Sequence, residues 1–110
     1  MSDMSVQSLF SVKGKVALVT GGSRGIGEMI AAGLLANGAK VYISSRKAQA
    51  CDEAAKRLMD TYGGECISLP ANVAEIDGIE ALVAEITKRE KYVDILINNA
   101  GVSWGAPIEE

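Results

Sequence analysis

The sequence contains no histidine, which argues against a hydrolase built on a histidine base and against a typical zinc enzyme. Its two cysteines, Cys51 and Cys66, have neither the spacing of metal ligands nor the density of a disulfide scaffold, so no metal site is expected. No apolar run reaches the roughly 18 residues of a membrane span. Residues 1–8 lack the basic and apolar regions of a secretory signal. We therefore expect a reduced, cytoplasmic protein with no membrane partner.

Positive charge is also scarce, with 11 basic against 14 acidic residues and a net charge of −3. This balance argues against non-specific binding to nucleic acid, so no nucleic-acid partner is expected. The 110 residues suffice for one modest domain. We predict a single nucleotide-binding domain over residues 12–110, preceded by a flexible tail over residues 1–11.

Short apolar runs alternate with helical patterns along the chain. Runs at residues 15–20, 40–44, 66–69 and 94–98 predict buried strands. The predicted buried faces of the three intervening helices are Ile26, Ile30, Gly33 and Leu34; Cys51, Ala55, Leu58 and Tyr62; and Ile79, Leu82, Val83 and Ile86. Strands joined through single helices must lie parallel, with right-handed crossovers. The pattern predicts an α/β fold with a doubly wound parallel Rossmann sheet, incomplete in this chain, with strand order 3-2-1-4.

A glycine-rich loop lies between the first predicted strand and helix, and it reads Thr20-Gly21-Gly22-Ser23-Arg24-Gly25-Ile26-Gly27. The free N–H groups and positive dipole end of the helix favour a pyrophosphate at this place. The spacing G-x-x-x-G-x-G differs from the standard dinucleotide fingerprint, and no Gly-Lys-Ser/Thr follows as in a P-loop. The alternative, a glycine-rich turn without a ligand, is weakened by the apolar strand directly before it.

The charges beyond this loop indicate which dinucleotide is bound. An NAD site usually places Asp or Glu about 20 residues after the glycines, where it binds the ribose 2′-OH. No acidic residue lies between Glu28 and Asp52, whereas Arg46 and Lys47 follow the second strand. A guanidinium binds phosphate through two hydrogen bonds, so Arg24 and Arg46 predict NADP(H) as the cofactor. The alternative, a solvated helix start, is weaker because basic residues are disfavoured at helix N-termini.

The glycine loop, together with Asn98-Asn99-Ala100-Gly101 at the end of the fourth strand, resembles the short-chain dehydrogenase/reductase family. The resemblance covers residues 12–106. Within the family the chain is most similar to NADPH-dependent 3-oxoacyl reductases of the rhamnolipid-biosynthesis type. Residues 16–27 and 98–106 show this finer similarity.

The resemblance implies a role for each cofactor-binding position. Residues expected around the pyrophosphate and adenosine ribose are Gly21, Ser23, Arg24, Gly25, Ile26 and Gly27. Arg46, with Lys47 beside it, would face the 2′-phosphate. Asn72 and Val73 would meet the adenine edge through an amide side chain and a backbone N–H. Asn99, Ala100 and Gly101 would line the cofactor ribose, with Asn98 bracing the sheet.

Family members use a Ser and a Tyr-x-x-x-Lys pair for hydride transfer to or from a carbonyl or alcohol carbon. None of the three tyrosines makes this pair, because the residues four positions after Tyr42, Tyr62 and Tyr92 are Arg46, Cys66 and Leu96. No catalytic residue is therefore assigned. We expect a partial sequence or truncated product of a longer enzyme, inactive alone.

The resemblance also implies the substrate and assembly of the intact protein. It would reduce a small-molecule carbonyl substrate, with a 3-oxoacyl thioester as the first expectation, and would form a homodimer or homotetramer. Two alternatives stay open: a non-catalytic nucleotide-binding or decoy subunit, and a sugar or steroid alcohol dehydrogenase of the same family.

Overall fold

Strands and helices alternate through the part of the chain that the structure, a computed structural model, describes, which is residues 12–99. In chain order the elements are β1 (Val16–Thr20), α1 (Gly25–Ala36), β2 (Lys40–Ser44), α2 (Ala48–Tyr62), β3 (Cys66–Ser68), α3 (Ile76–Arg89) and β4 (Ile95–Asn98). The predicted tail, and Ala100 and Gly101 of the predicted site, lie outside the described residues.

The four strands form one parallel sheet in the order β3-β2-β1-β4, as predicted. The chain leaves β1 towards β2 and β3 on one side and later returns to place β4 on the other. At the carboxyl end of β1, Thr20 lies beside Ser44 of β2 and Asn98 of β4. Such a reversal of strand order opens a crevice at the carboxyl ends of the strands, where doubly wound folds bind ligands.

Two apolar clusters cover the two faces of this sheet. One face packs against α1 and α2 through Val19, Val41 and Ile43, together with Ala31, Leu35, Cys51, Ala54, Ala55 and Leu58. The other face packs against α3 through Leu18, Tyr42, Leu69, Leu82 and Ile86. Neighbouring strand residues point to opposite faces, which is why Leu18 and Val19 belong to different clusters. Burial on both faces explains the nearly continuous apolar runs of β1 and β2.

The buried face of α1 is not the predicted one. Gly27, Ala31 and Leu35 are buried, whereas Ile26 is 66% exposed. Gly33 is exposed as well, and Ile30 and Leu34 are only half-buried. The prediction followed the largest aliphatic side chains, but glycine and alanine let this helix approach the sheet more closely, so the small residues form its inner face.

The other two helices follow the prediction only in part. Cys51, Ala55 and Leu58 of α2 are buried, as are Leu82 and Ile86 of α3. The prediction that Tyr62 is buried is wrong, because this residue is 48% exposed at the rim of a shallow groove between α1 and α2. Ile79 and Val83 are also exposed, so fewer residues of α3 are buried than its apolar pattern predicted.

Candidate nucleotide-binding site

The segments that follow the strands meet at the carboxyl edge of the sheet. The Gly21 N–H donates to the Ser44 carbonyl at 2.7 Å, which ties the glycine loop (residues 21–27) to the end of β2. The Ala71 N–H donates to the Ser45 carbonyl at 3.0 Å, which ties the segment after β3 to the segment after β2. These bonds bring together the parts of the chain in which the cofactor residues are predicted.

Gly27 lies at the tightest point of this edge. A Cβ atom there would overlap the carbonyl oxygen of Gly21 and lie 2.9 Å from Nδ2 of Asn99. At Gly25 the backbone conformation, not a lack of space, favours glycine. Its φ is 61°, and a Cβ atom there would meet no other atom within 4 Å. One glycine therefore lets the loop close on the helix, and the other leaves the first turn of α1 open to an anion.

Thr20 holds the end of β4 against the end of β1. Its hydroxyl donates to Oδ1 of Asn98 at 2.9 Å and accepts a hydrogen bond from the Asn99 N–H at 3.0 Å. Asn98 is thus bonded across the strand pair, and Asn99 is placed with its side chain next to the position of Gly27. The structure thus brings the glycine loop and Asn99 next to each other.

Three cationic side chains at this edge have no partner among residues 12–99. Arg24, directly before α1, and Arg46 and Lys47, directly before α2, are all exposed. Within residues 12–99 their side chains make no hydrogen bond or ion pair. Positive charge opposes the dipole at a helix N-terminus, and the first turn of α2 has no acidic residue to offset it. A phosphate at this edge would relieve that conflict.

Asn72 shapes the turn between β3 and α3. Its Oδ1 accepts a hydrogen bond from the Ala74 N–H at 3.1 Å, and its own carbonyl accepts one from the Glu75 N–H at 3.2 Å. The amide oxygen expected to face adenine therefore has one lone pair engaged and one left for a ligand. Val73 is half-buried against the cluster beneath α3.

An ion pair that the sequence did not suggest lies beside the glycine loop. Arg57, in α2, donates from Nε to Oε2 of Glu28 at 3.2 Å and from Nη2 to Oε1 of Glu28 at 3.0 Å. The same Nη2 donates to the carbonyl of Ser23 at 3.4 Å. Its hydrogen bonds to Glu28 raise the pKa of Arg57. The pairing joins residues 29 positions apart on different helices, so no periodic pattern could have indicated it.

Ser44, at the end of β2, is the second residue that the sequence did not single out. It is 1% exposed, and its Oγ has no hydrogen-bond partner in the part of the chain that the structure describes. An unsatisfied buried hydroxyl costs about 1–3 kcal/mol, so such groups are uncommon in folded proteins. Among the described residues, the carboxyl edge thus holds a hydroxyl without a partner as well as cations without partners.

Among the described residues, no group of three or more cysteine or acidic side chains could hold a metal ion. The helices of the same region are also too short or too polar to cross a bilayer.

The family model described as short chain dehydrogenase matches residues 15–110. The chain is 50% identical, over 100 residues, to the rhamnolipids biosynthesis 3-oxoacyl-[acyl-carrier-protein] reductase of Pseudomonas aeruginosa. That alignment covers 91% of this chain and 38% of the reductase.

Two solved structures show the same fold. The Pseudomonas aeruginosa RhlG/NADP active-site complex has a TM-score of 0.79 at 48% identity, over 86% of this chain and 39% of that one. L-Sorbose reductase from Gluconobacter frateurii, complexed with NADPH and L-sorbose, also has a TM-score of 0.79, at 36% identity, over 83% of this chain and 35% of that one.

The sheet order and the glycine loop between β1 and α1 define a Rossmann-type α/β protein. The chain belongs to the short-chain dehydrogenase/reductase family. The predicted resemblance is confirmed, including its similarity to the rhamnolipid-type 3-oxoacyl reductase. The chain spans a little over a third of the length of the relatives it matches.

Proposed function

We propose that this chain is the NADP(H)-binding part of an oxidoreductase that transfers hydride between NADPH and a carbonyl or alcohol. The observation that carries the proposal is a set of cations, Arg24, Arg46 and Lys47, that have no partner within residues 12–99 and lie directly before α1 and α2. When bound, the cofactor supplies the hydride. The residues of this chain bind and orient it.

The residues fit a dinucleotide with an extra phosphate. The loop would hold the pyrophosphate through its backbone, since Gly25 leaves the first turn of α1 unobstructed. The guanidinium of Arg46, with Lys47 beside it, would bind the 2′-phosphate. Asn72 and Val73 would contact the adenine, and Asn99, Ala100 and Gly101 the cofactor ribose. Both solved relatives described above are complexes with NADP or NADPH, which supports this choice.

We assign the proton transfer that accompanies hydride transfer to residues other than Tyr42, Tyr62 and Tyr92. Tyr42 is buried, and its hydroxyl donates to Oε2 of Glu90 at 2.6 Å. Burial raises the pKa of Tyr42, with the hydrogen bond to Glu90 as a second cause, so it is unsuited to exchange protons near neutral pH. We expect the family Ser and Tyr-x-x-x-Lys in the intact protein, and their absence there would instead favour the non-catalytic alternative.

For the substrate we propose a 3-oxoacyl thioester, on the strength of 50% identity to a reductase with that name. A sugar ketone is the second candidate, because L-sorbose reductase matches with the same TM-score at lower identity. Measuring NADPH oxidation by the intact protein with each class of substrate separates them. Faster turnover of the ketose than of the thioester would reverse the order.

Cofactor choice is tested by titrating the intact protein with NADPH and NADH and following NADPH fluorescence. We expect NADPH to bind more tightly by one to two orders of magnitude, the value of about one charge-assisted phosphate contact. Arg46→Asp should remove most of that preference. Lys56→Asp, which reverses another exposed charge on α2, is the matched control and should leave it intact. Equal affinity for both cofactors in the unmodified protein would overturn the proposal.

A further inference from the structure

Arg57 connects three separate parts of the nucleotide edge. It belongs to α2, its guanidinium occupies both carboxylate oxygens of Glu28 in the first turn of α1, and it reaches the carbonyl of Ser23 in the glycine loop. The Arg57 side chain is 54% exposed and that of Glu28 is 25% exposed, so the pair lies at the surface of the groove between the two helices.

The charge of Glu28 would matter to an anion at this place. Glu28 is the acidic residue in the first turn of α1, next to the backbone N–H groups proposed to hold the pyrophosphate. A carboxylate in that turn is favoured by the helix dipole, but it competes with a phosphate for the same positive end. With both oxygens bonded to Arg57, the carboxylate is neutralised and turned towards α2.

The contact to Ser23 acts on the loop itself. The Ser23 carbonyl accepts from the same Nη2 that binds Glu28, so the guanidinium fixes the loop and the helix that follows it relative to each other. The planar fork of arginine holds these bonds in a fixed geometry, whereas the ammonium of a lysine is a compact point charge on a flexible stem.

We propose that Arg57 is a positioning residue for the nucleotide site: it neutralises Glu28 and holds the Ser23 carbonyl, keeping the glycine loop ready for a pyrophosphate without touching the nucleotide. This inference rests on the proposed function. It differs from the role of Arg46, because the pyrophosphate is common to both dinucleotides while the 2′-phosphate belongs to NADPH alone.

The test compares Arg57→Ala, Arg57→Lys and the double variant Arg57→Ala/Glu28→Gln in the intact protein. Kd values for NADPH and for NADH are measured by fluorescence titration, and Tm by thermal unfolding. Arg57→Ala should weaken both dinucleotides by about fivefold, the effect of one partly exposed ion pair. Glu28→Gln in the same background should restore most of the affinity, and Arg57→Lys should fall between. Lys56→Ala, on the same helix, is the control for the loss of one charge.

The other outcomes are distinguishable. A loss confined to NADPH, not restored by Glu28→Gln, would mean that Arg57 binds the 2′-phosphate directly. A lower Tm with unchanged Kd would leave only a structural ion pair, and either result overturns the inference. Failure of the unmodified protein to bind either dinucleotide would overturn the proposed function as well.

Discussion

The cluster around Glu90 at the amino end of the sheet and the region of Ser44 and Arg46 at its carboxyl end differ in how their polar groups are partnered. At the amino end, Oε2 of Glu90 lies 2.6 Å from Nζ of Lys40 and accepts a hydrogen bond of the same length from the Tyr42 hydroxyl. At the carboxyl end, Arg46 has no such partner in the described chain, and the Ser44 hydroxyl is unsatisfied. The Glu90 carboxylate thus has two partners, whereas the Arg46 guanidinium and the Ser44 hydroxyl have none within residues 12–99, although the Arg57–Glu28 pair does form beside the glycine loop.

The protonation equilibria at the amino end agree with this view. The hydrogen bonds from Lys40 and then Tyr42 lower the pKa of Glu90, while the hydrogen bond to Glu90 raises the pKa of Lys40. Both shifts favour the charged forms, so the cluster is stable as an ion pair near neutral pH. The amino end should therefore respond to mutation through stability, and the carboxyl end through nucleotide binding.

Gly27→Val should give the largest effect, because its side chain would overlap the carbonyl of Gly21 and press on Asn99. The loop must then move away from α1, and we expect NADPH affinity to fall by about 100-fold, with a loss of stability of about 1–3 kcal/mol. Titration and urea unfolding of the intact protein measure the two effects. Gly33→Ala is the control, since nothing lies within 4 Å of its Cβ position, and it should stabilise α1 by about 0.5–1 kcal/mol. Unchanged NADPH binding by Gly27→Val would remove the steric argument.

Tyr42→Phe should come next, because it deletes the hydrogen bond to a charged acceptor at the amino end. We expect a loss of about 2 kcal/mol in the free energy of unfolding, with NADPH affinity unchanged. Tyr92→Phe, at an exposed tyrosine, should change stability by less than about 0.5 kcal/mol. A marked loss of NADPH affinity in Tyr42→Phe would contradict the separation between the two ends.

The pH dependence of stability gives a smaller effect of known sign. Because the folded-state pKa of Glu90 is lowered, its contribution is present above its unfolded pKa of about 4.3 and is lost as pH falls through the folded value. Glu90→Gln should thus be less stable than the unmodified protein at pH 7 by about 1 kcal/mol, and the difference should shrink in acid. Urea unfolding from neutral to acidic pH measures it. A difference that grows as the pH falls would have the wrong sign.

Ser44→Ala should have the smallest effect. Removing a buried hydroxyl without a partner is expected to leave stability unchanged or raise it by up to about 1 kcal/mol. Thr20→Val, at the neighbouring position of β1, removes a hydroxyl that does have partners and should destabilise. A destabilised Ser44→Ala variant would show that the hydroxyl is satisfied after all and would weaken the comparison between the two ends.

The sequence was sufficient for the strand order and for placing the predicted cofactor residues near the carboxyl edge of the sheet. Apolar runs and the glycine loop are local signals, and parallel pairing follows from single-helix connections, so β1 to β4 were predicted to within a residue or two at each end. Arg24, Arg46 and Asn99 lie at the carboxyl edge of the sheet, as their positions after a strand or before a helix indicated. Their contacts with a cofactor stay a prediction.

The remaining features depend on contacts between distant segments. Ile26 was expected inside because it is large and apolar, yet close packing selected Gly27 and Ala31. Arg57 and Glu28 meet only because α1 and α2 lie side by side, and Glu90 reaches Tyr42 across 48 residues. Predicting the buried face of a helix from the size of its side chains fails where the helix backbone itself packs against the sheet. Ion pairs between two elements leave no periodic pattern in the sequence, so they could not be predicted.

Hydrogen bonds outside the regular sheet pairing fix the register of β1 with β4 at both ends. At its start, the Val16 N–H donates to Oδ2 of Asp94 and the Asp94 N–H donates to the Val16 carbonyl, each at 2.8 Å. At its finish, Thr20 bonds Asn98 and Asn99. A shift of the register by one residue would break both sets of hydrogen bonds and turn every side chain of β4 to the opposite face of the sheet. Other registers therefore lose hydrogen bonds at both ends of the strand pair. As a result, β4, which precedes Asn99, has one well-defined register with β1.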